Sequence, residues 1–229
     1  MSLILKGGAV FLHIPKTGGN WIISVLRECG LAKTGLGHKH ANMDRLLVPM
    51  DYRKSNLRAH FKIHRIKKHF GNNPYTFCFV RHPLAWYESR FKYMTQPSRN
   101  WRHWGDEKDL FDWHPQTALN GCGSEDFNQF VQKIIEKRPG YVTELFGEYA
   151  KPPIDFIGKQ ETLKEDLVKV LKHLNLNFDE DFVMNFKEVG VSPAPHQKLE
   201  WNADLTAKTL NLEQIALLRY GYPTQESTT

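Results

Sequence analysis

Apolar and polar positions along the chain alternate between short strand-like runs and segments with helical spacing. A mostly apolar run, Ala9 to Ile14, predicts a buried strand. It breaks at Pro15, passes through Gly18-Gly19 and enters a segment with apolar residues at Ile22, Ile23, Val25 and Leu26, which predicts a helix ending at Gly30. Residues 31–51 are rich in Gly, His and Lys, lack a clear period and read as loop. Tyr75 to Val80, rich in β-formers and preceded by Gly71-Asn72-Asn73-Pro74, predicts a second strand. Pro83 suits the first turn of a helix carrying Trp86, Tyr87, Arg90, Phe91 and Tyr93.

Residues 97–123 are irregular and hold Trp101, Trp104 and Trp113 with His103 and His114, a composition suited to a substrate lid or a satellite core. Ser124 is the expected N-cap of a helix with apolar Phe127, Phe130, Val131, Ile134 and Ile135, stopped by Pro139-Gly140. Ile154 to Ile157 predicts a further strand. Thr162 with Glu165 predicts a capping box opening a helix through Leu174, and Asn211 with Gln214 opens a last helix toward Tyr220. This order predicts an α/β fold with a mostly parallel central sheet covered by helices on both faces. Ligands of such sheets sit beyond the carboxyl ends of the strands, where Lys16 and Arg81 fall.

The 229 residues fit a single domain, 1–229, with residues 97–123 as an insertion on the acceptor side. Hydrophobic content of 41% and charged content of 24% argue against wholesale disorder. No stretch approaches the roughly 20 apolar residues of a membrane span. Nothing resembling a cleavage site precedes the first strand, and Cys29, Cys78 and Cys122 lack paired spacing. A soluble, cytoplasmic protein in a reducing compartment is expected. The net charge of +6 points to an acidic partner: nucleic acid, a membrane surface, a polyanionic sugar or a multiply charged cofactor. It is concentrated between Arg53 and Lys68, where seven Lys or Arg residues occur without an acid, as on a solvated helix face or a polyanion-binding one.

Candidate chemistry starts at the glycine turn. A strand, tight turn and helix aim backbone N–H groups and the positive end of a helix dipole at one spot, and Lys16 adds a full charge. An ordinary βα turn shares the glycine pair, but the preceding Pro-Lys favours a phosphate-like anion. Arg81 ends a buried strand, where it can enter a ligand crevice, and Ser89 follows eight residues later. Taken singly, Arg81 reads as a structural ion pair and Ser89 as a neutral helix residue. His38 and His40 have no nearby cysteine or carboxylate pair, and His60 and His64, at i, i+4, lack a third ligand. No metal site is expected.

Together, Pro15-Lys16-Thr17-Gly18-Gly19-Asn20-Trp21 and Val80-Arg81-His82-Pro83 with Ser89 resemble the two donor-binding signatures of the sulfotransferases that use 3'-phosphoadenosine 5'-phosphosulfate. The wording His-Ile-Pro-Lys-Thr-Gly-Gly is most similar to the carbohydrate branch. The resemblance implies a P-loop-like sulfotransferase fold and in-line transfer of a sulfuryl group to an acceptor hydroxyl or amine, leaving 3',5'-adenosine bisphosphate without a required metal. It implies that Lys16 and the N–H groups of Thr17, Gly18, Gly19 and Asn20 hold the 5'-phosphosulfate, that Trp21 stacks on adenine, and that Arg81 and Ser89 hold the 3'-phosphate. His60, in Arg-Ala-His-Phe between the signatures, takes the position of the catalytic base, with His64 in reserve; a neutral imidazole with pKa about 6.5 can accept a hydroxyl proton.

Asn20 departs from the family's usual Thr or Ser, although its amide can still donate to a phosphate oxygen. Golgi members of the branch also carry a membrane anchor, which this sequence lacks. The tryptophans of 97–123 and the basic segment suit a carbohydrate acceptor, including an acidic glycan, and no nucleic-acid motif is present. Two other readings remain. A P-loop kinase or ATPase would place lysine after the glycines and a hydroxyl for Mg²⁺, whereas Lys16 precedes them. A non-catalytic polyanion-binding module would bind with a steep salt dependence and need no adenosine cofactor.

Overall fold

The computed structural model describes residues 2–36, 39–47, 74–96, 114–115, 117–151, 153–191 and 199–224. The basic stretch 53–68 with His60 and His64, together with His38, Trp101, His103, Trp104 and Trp113, lies outside them. The chain divides into two compact units, Met1–Val80 with Glu148–Gly190 and Arg81–Gly147 with Val191–Thr229. Among the described residues, no helix is long and apolar enough to cross a membrane.

The first unit is built on a five-stranded sheet of β1 (Ser2–Leu5), β2 (Val10–Leu12), β3 (Ala32–Leu36), β4 (Thr76–Val80) and β5 (Phe156–Lys159), in the order β3-β1-β2-β4-β5. β2 pairs with β4 and β4 with β5 in parallel, while β1 runs antiparallel to both its neighbours. The sheet is therefore mixed, not mostly parallel as the alternation of strands and helices predicts. The cause is local. Leu5 N–H donates to Ala9 O at 2.9 Å and Gly8 N–H to Leu5 O at 3.1 Å, closing a tight turn that can only join antiparallel strands.

Helices flank this sheet. Alternate residues Leu3, Leu5, Phe11, Phe77 and Phe79 share one core with Trp21, Ile22, Val25 and Leu26 of α1 (Gly19–Glu28). The same core holds Leu167, Val170 and Leu171 from the helix Leu163–His173. Phe11 and Phe77 are register partners on β2 and β4, and their rings pack 5.4 Å apart. Val10, Leu12, Cys78 and Val80 point to the other face and are equally buried, so these two central strands are apolar throughout. Burial pushes the Cys78 thiol up to about 12. It is an inert packing group.

Two elements of this unit sit where the sequence reads as loop: β3 and α2 (Met43–Leu47). β3 is half-exposed and borders only β1, so it needs no alternating apolar pattern. β5 begins two residues later than the apolar run Ile154 to Ile157 suggests. The helix after it opens without the expected Thr162–Glu165 capping box. Buried Asp166 instead accepts from Lys159 N–H at 2.9 Å, Thr162 Oγ1 at 2.7 Å and Lys169 Nζ at 2.7 Å. Burial raises the Asp166 pKa, but these hydrogen bonds outweigh it and hold the carboxyl below the ordinary aspartate value.

The second unit is helical: α3 (Pro83–Met94), α4 (Phe127–Lys137), α5 (Tyr141–Tyr149, whose last two residues belong to the first unit), α8 (Ala203–Leu212) and α9 (Gln214–Arg219). The remaining described helices, α6 (Leu163–His173) and α7 (Glu180–Asn185), belong to the first unit. Phe91 packs 5.4 Å from both Phe127 and Phe130, and Phe127 meets Trp201 edge-on at 4.9 Å. The N-cap of α4 is Asp126, which accepts from Gln129 N–H at 2.7 Å; Ser124, the expected cap, accepts from Asp126 N–H one step upstream.

A heavily hydrogen-bonded carboxylate stands between α8 and α9. Glu213 is fully buried and accepts from Tyr87 Oη at 2.8 Å, Val142 N–H at 3.0 Å, and the N–H and Oγ1 of Thr143 at 2.7 Å each. A residue distant in sequence thus caps the first turn of α5. The expected Asn211–Gln214 box is absent, because Asn211 lies inside α8.

Two outcomes follow from these carboxylates. Glu213→Ala should destabilise the protein by about 3 kcal/mol, because it leaves two buried donors, Tyr87 Oη and Val142 N–H, and two part-buried donors of Thr143 without an acceptor; denaturant unfolding reads this directly, and Glu213→Gln should lose less. Asp166 has a folded pKa below its unfolded value, so its contribution is complete above the unfolded pKa of about 3.9 and fades as pH falls through the folded one. Stability measured against pH should therefore fall less steeply below about pH 4 in Asp166→Asn than in the wild type.

Candidate functional site

β2 and β4 are neighbouring parallel strands that end on the same edge of the sheet, at Leu12 and Val80. The two sequence signatures begin there. After β2 the chain turns through His13, Ile14, Pro15, Lys16 and Thr17 into α1. Lys16 has φ of 68°, a left-handed conformation that costs a non-glycine residue on the order of 1 kcal/mol. Gly18 follows at φ 82° and is the N-cap of α1. The buried Thr17 hydroxyl donates to Ile14 O at 3.0 Å, so its side chain braces the turn from within and only its backbone faces a ligand role.

Gly19 is required by packing. A Cβ there would stand 2.3 Å from Cδ2 and 2.4 Å from Nε2 of His13, whose ring fills the space against the first residue of the helix. His13 is 3% exposed, and its Nδ1 has no hydrogen-bond partner. Burial, followed by the positive charges of His40, Lys39, the N-terminus and Lys16, holds its pKa well below the usual histidine value. The imidazole is neutral at physiological pH.

No side chain caps the N-terminus of α1, and its first turn contains no acid. The same is true of α3, the helix that follows β4, which opens with Pro83 at its first turn. α4, α7 and α8 are capped by Asp126, Asp179 and Asn202, whereas α6 and α9, like α1 and α3, have no side-chain cap. The helices that follow the two signature-bearing strands thus have first N–H groups uncapped by side chains.

The other predicted residues fall as follows. Lys16 is half-buried and Asn20 exposed. Asn20 Oδ1 accepts from Lys39 Nζ at 2.8 Å, and its Nδ2 lies against Gly190, where a Cβ would come within 2.8 Å. Trp21 is 4% exposed and sits in the core, edge-on to Phe186 at 6.1 Å. In this arrangement its ring is a core element, and stacking on adenine would require the Phe186 segment to move aside. Arg81 and Ser89, the second signature, are half-buried and belong to the second unit; the next residue after Ser89, Arg90, is 3% exposed and lies over the Tyr93 ring at 5.9 Å. His60 lies outside the described residues.

Structure adds residues that sequence reasoning missed. Lys39 and His40 sit in a segment without periodicity, yet tertiary packing carries them to the first turn of α1 and the end of β2. A His-x-His pattern is all that marked the segment. Among the described residues, no three His, Cys, Asp or Glu side chains gather as metal ligands.

Gly19→Ala is the sharpest test of the loop. With 2.3 Å to the buried His13 ring, the methyl group cannot be accommodated without displacing the ring or the helix start. The variant should lose about 1–3 kcal/mol of stability on chemical denaturation, and any anion affinity of the loop should fall with it.

No protein-family model matches the chain, and no curated protein and no solved structure matches it.

Proposed function

We propose that the chain is a sulfotransferase that moves a sulfuryl group from 3'-phosphoadenosine 5'-phosphosulfate to an acceptor hydroxyl, with a carbohydrate as the favoured acceptor class. One observation carries the reading. The Pro15-Lys16-Thr17-Gly18-Gly19 turn leaves a buried strand in a left-handed bend, places a lysine in it and opens into a helix with no cap and no first-turn acid. Such a turn suits the phosphate end of a nucleotide, and the Arg81 to Ser89 signature suits a second phosphate. The resemblance of the two sequence signatures assigns one to each phosphate of a doubly phosphorylated adenosine.

The donor supplies an activated sulfuryl group whose transfer to the acceptor oxygen breaks its bond to the 5'-phosphate. Lys16 and the N–H groups of Thr17 to Asn20 are assigned to the charge on that phosphate, where fixed donors stabilise it best. Arg81 and Ser89 are assigned to the 3'-phosphate, and His60 to the acceptor's proton. The uncapped, acid-free first turn of α1 fits an anionic group seated at this turn. The free thiols of Cys29, Cys78 and Cys122 suit a reducing, cytoplasmic setting.

Calorimetric titration with 3',5'-adenosine bisphosphate, without Mg²⁺ and with ADP as control, tests the donor site. Wild type should bind the bisphosphate at micromolar concentration and prefer it to ADP. Lys16→Ala and Arg81→Ala should each weaken it by about 1.5–3 kcal/mol, the usual loss for one charged hydrogen-bond partner. Absence of binding, or equal Mg²⁺-dependent binding of ADP, would overturn the reading in favour of a nucleoside-triphosphate enzyme or a polyanion-binding module.

A further inference from the structure

Helix α8 carries two strips of different chemistry. Ala203, Ala207, Leu210 and Asn211, spaced i, i+4, i+7 and i+8 and therefore on one side of the helix, line a groove of about 640 Å³. Trp201, just before α8, Gln214 of α9 and Thr224 line it with them. Asp204 and Lys208, on the next strip of α8, line a separate groove that also takes in Asp126 and Lys133 beside α4. Charge is thus segregated across the helix: its ionisable side chains line one groove, and among the described residues lining the other none is ionisable.

The uncharged groove combines a fixed aromatic wall with unengaged polar groups. Trp201 is half-buried and held in place: its indole N–H donates to Glu88 Oε1 at 3.0 Å, and its ring stands nearly perpendicular to Phe127 at 4.9 Å and to Tyr87 at 6.4 Å. The Thr206 hydroxyl, also at the groove, is spent on Asn202 O at 2.9 Å. Asn211, Gln214 and Thr224 are exposed, and among the described residues their side chains have no hydrogen-bond partner. Two amides and a hydroxyl therefore offer donors and acceptors beside a rigid ring.

This lining selects a ligand class. A charged group entering the groove would give up water without meeting a counter-charge, and a purely apolar one would leave the amides without partners. A peptide main chain would find no sheet edge, because α8 and α9 satisfy their backbone groups internally, and an amphipathic helix would meet only Trp201 and Leu210 as large apolar contacts. A neutral saccharide meets each condition, with C–H faces for the aromatic ring and closely spaced hydroxyls that both donate and accept. We propose that the groove of Trp201, Asn211 and Gln214 is a binding site for an uncharged oligosaccharide. The site uses no residue of either sequence signature and does not depend on the sulfotransferase reading.

Calorimetry on the full chain, with maltohexaose, cellohexaose and chitohexaose as probes, tests it. At least one should bind with a Kd below about 1 mM, and its affinity should change by less than about twofold between about 50 and about 300 mM salt, as an uncharged site requires. Ala207→Trp, at an exposed helix position, fills the groove and should weaken that sugar about tenfold or more. Asn211→Ala should weaken it about threefold or more, while Lys208→Ala, in the neighbouring groove, should leave it unchanged. Thermal unfolding of each variant within a few degrees of wild type separates a lost contact from a folding defect. Failure of all three sugars to bind, undiminished binding in both Ala207→Trp and Asn211→Ala, or binding only of an uncharged peptide of Gly, Ser and Asn titrated in parallel would overturn the site.

Discussion

The close approach of His13 to Gly19 is the constraint on which the candidate site depends. The carboxyl end of β2 and the amino end of α1 meet with a buried imidazole between them, leaving no room for a side chain on the helix's first residue. That contact sets where α1 starts, and therefore where its uncapped N–H groups point. The left-handed turn at Lys16 and the Thr17 hydroxyl bonded back to Ile14 hold the connection in one conformation. Preorganisation of this kind removes the ordering cost that a flexible loop would meet on binding an anion.

The use of carboxylates elsewhere makes the open helix ends more informative. Asp126 and Asp179 cap their own helices, Asp166 ties the end of β5 to α6, and Glu213 crosses from the α8–α9 junction to the first turn of α5. Asp155 similarly takes the N–H of Thr76 at the start of β4. Negative charge thus satisfies backbone donors at many helix and strand starts, yet it is absent from the first turns of α1 and α3. Those helices follow the strands that carry the two signatures. An acid there would repel an anion, and the uncapped N–H groups cost some helix stability.

Sequence patterning revealed the framework of the site well. The apolar run into Pro15, the glycine pair and the apolar positions of α1 marked β2, the turn and the helix, and Tyr75 to Val80 followed by Pro83 marked β4 and α3. These signals are local, because burial of a central strand and one helix face leaves a direct imprint on neighbouring residues. Elements that borrow their stability from distant partners left no such imprint. β3 is a half-exposed neighbour of β1, and α2, α5, α7 and α8 are short or lack a strong apolar stripe.

By itself, then, the sequence determined the strand–turn–helix at Lys16, the placement of Arg81 after a buried strand, and the α/β character of the chain. Each follows from chemistry contained within a few consecutive residues. Only tertiary structure decided that the sheet is mixed, that Glu213 rather than Asn211 serves as a cap, that Trp21 turns into the core, and that Lys39 stands beside Asn20. Each of these joins groups distant in the chain or sets one buried position against another. Such pairings are settled by packing and by the need to satisfy buried polar groups, which a linear pattern does not encode.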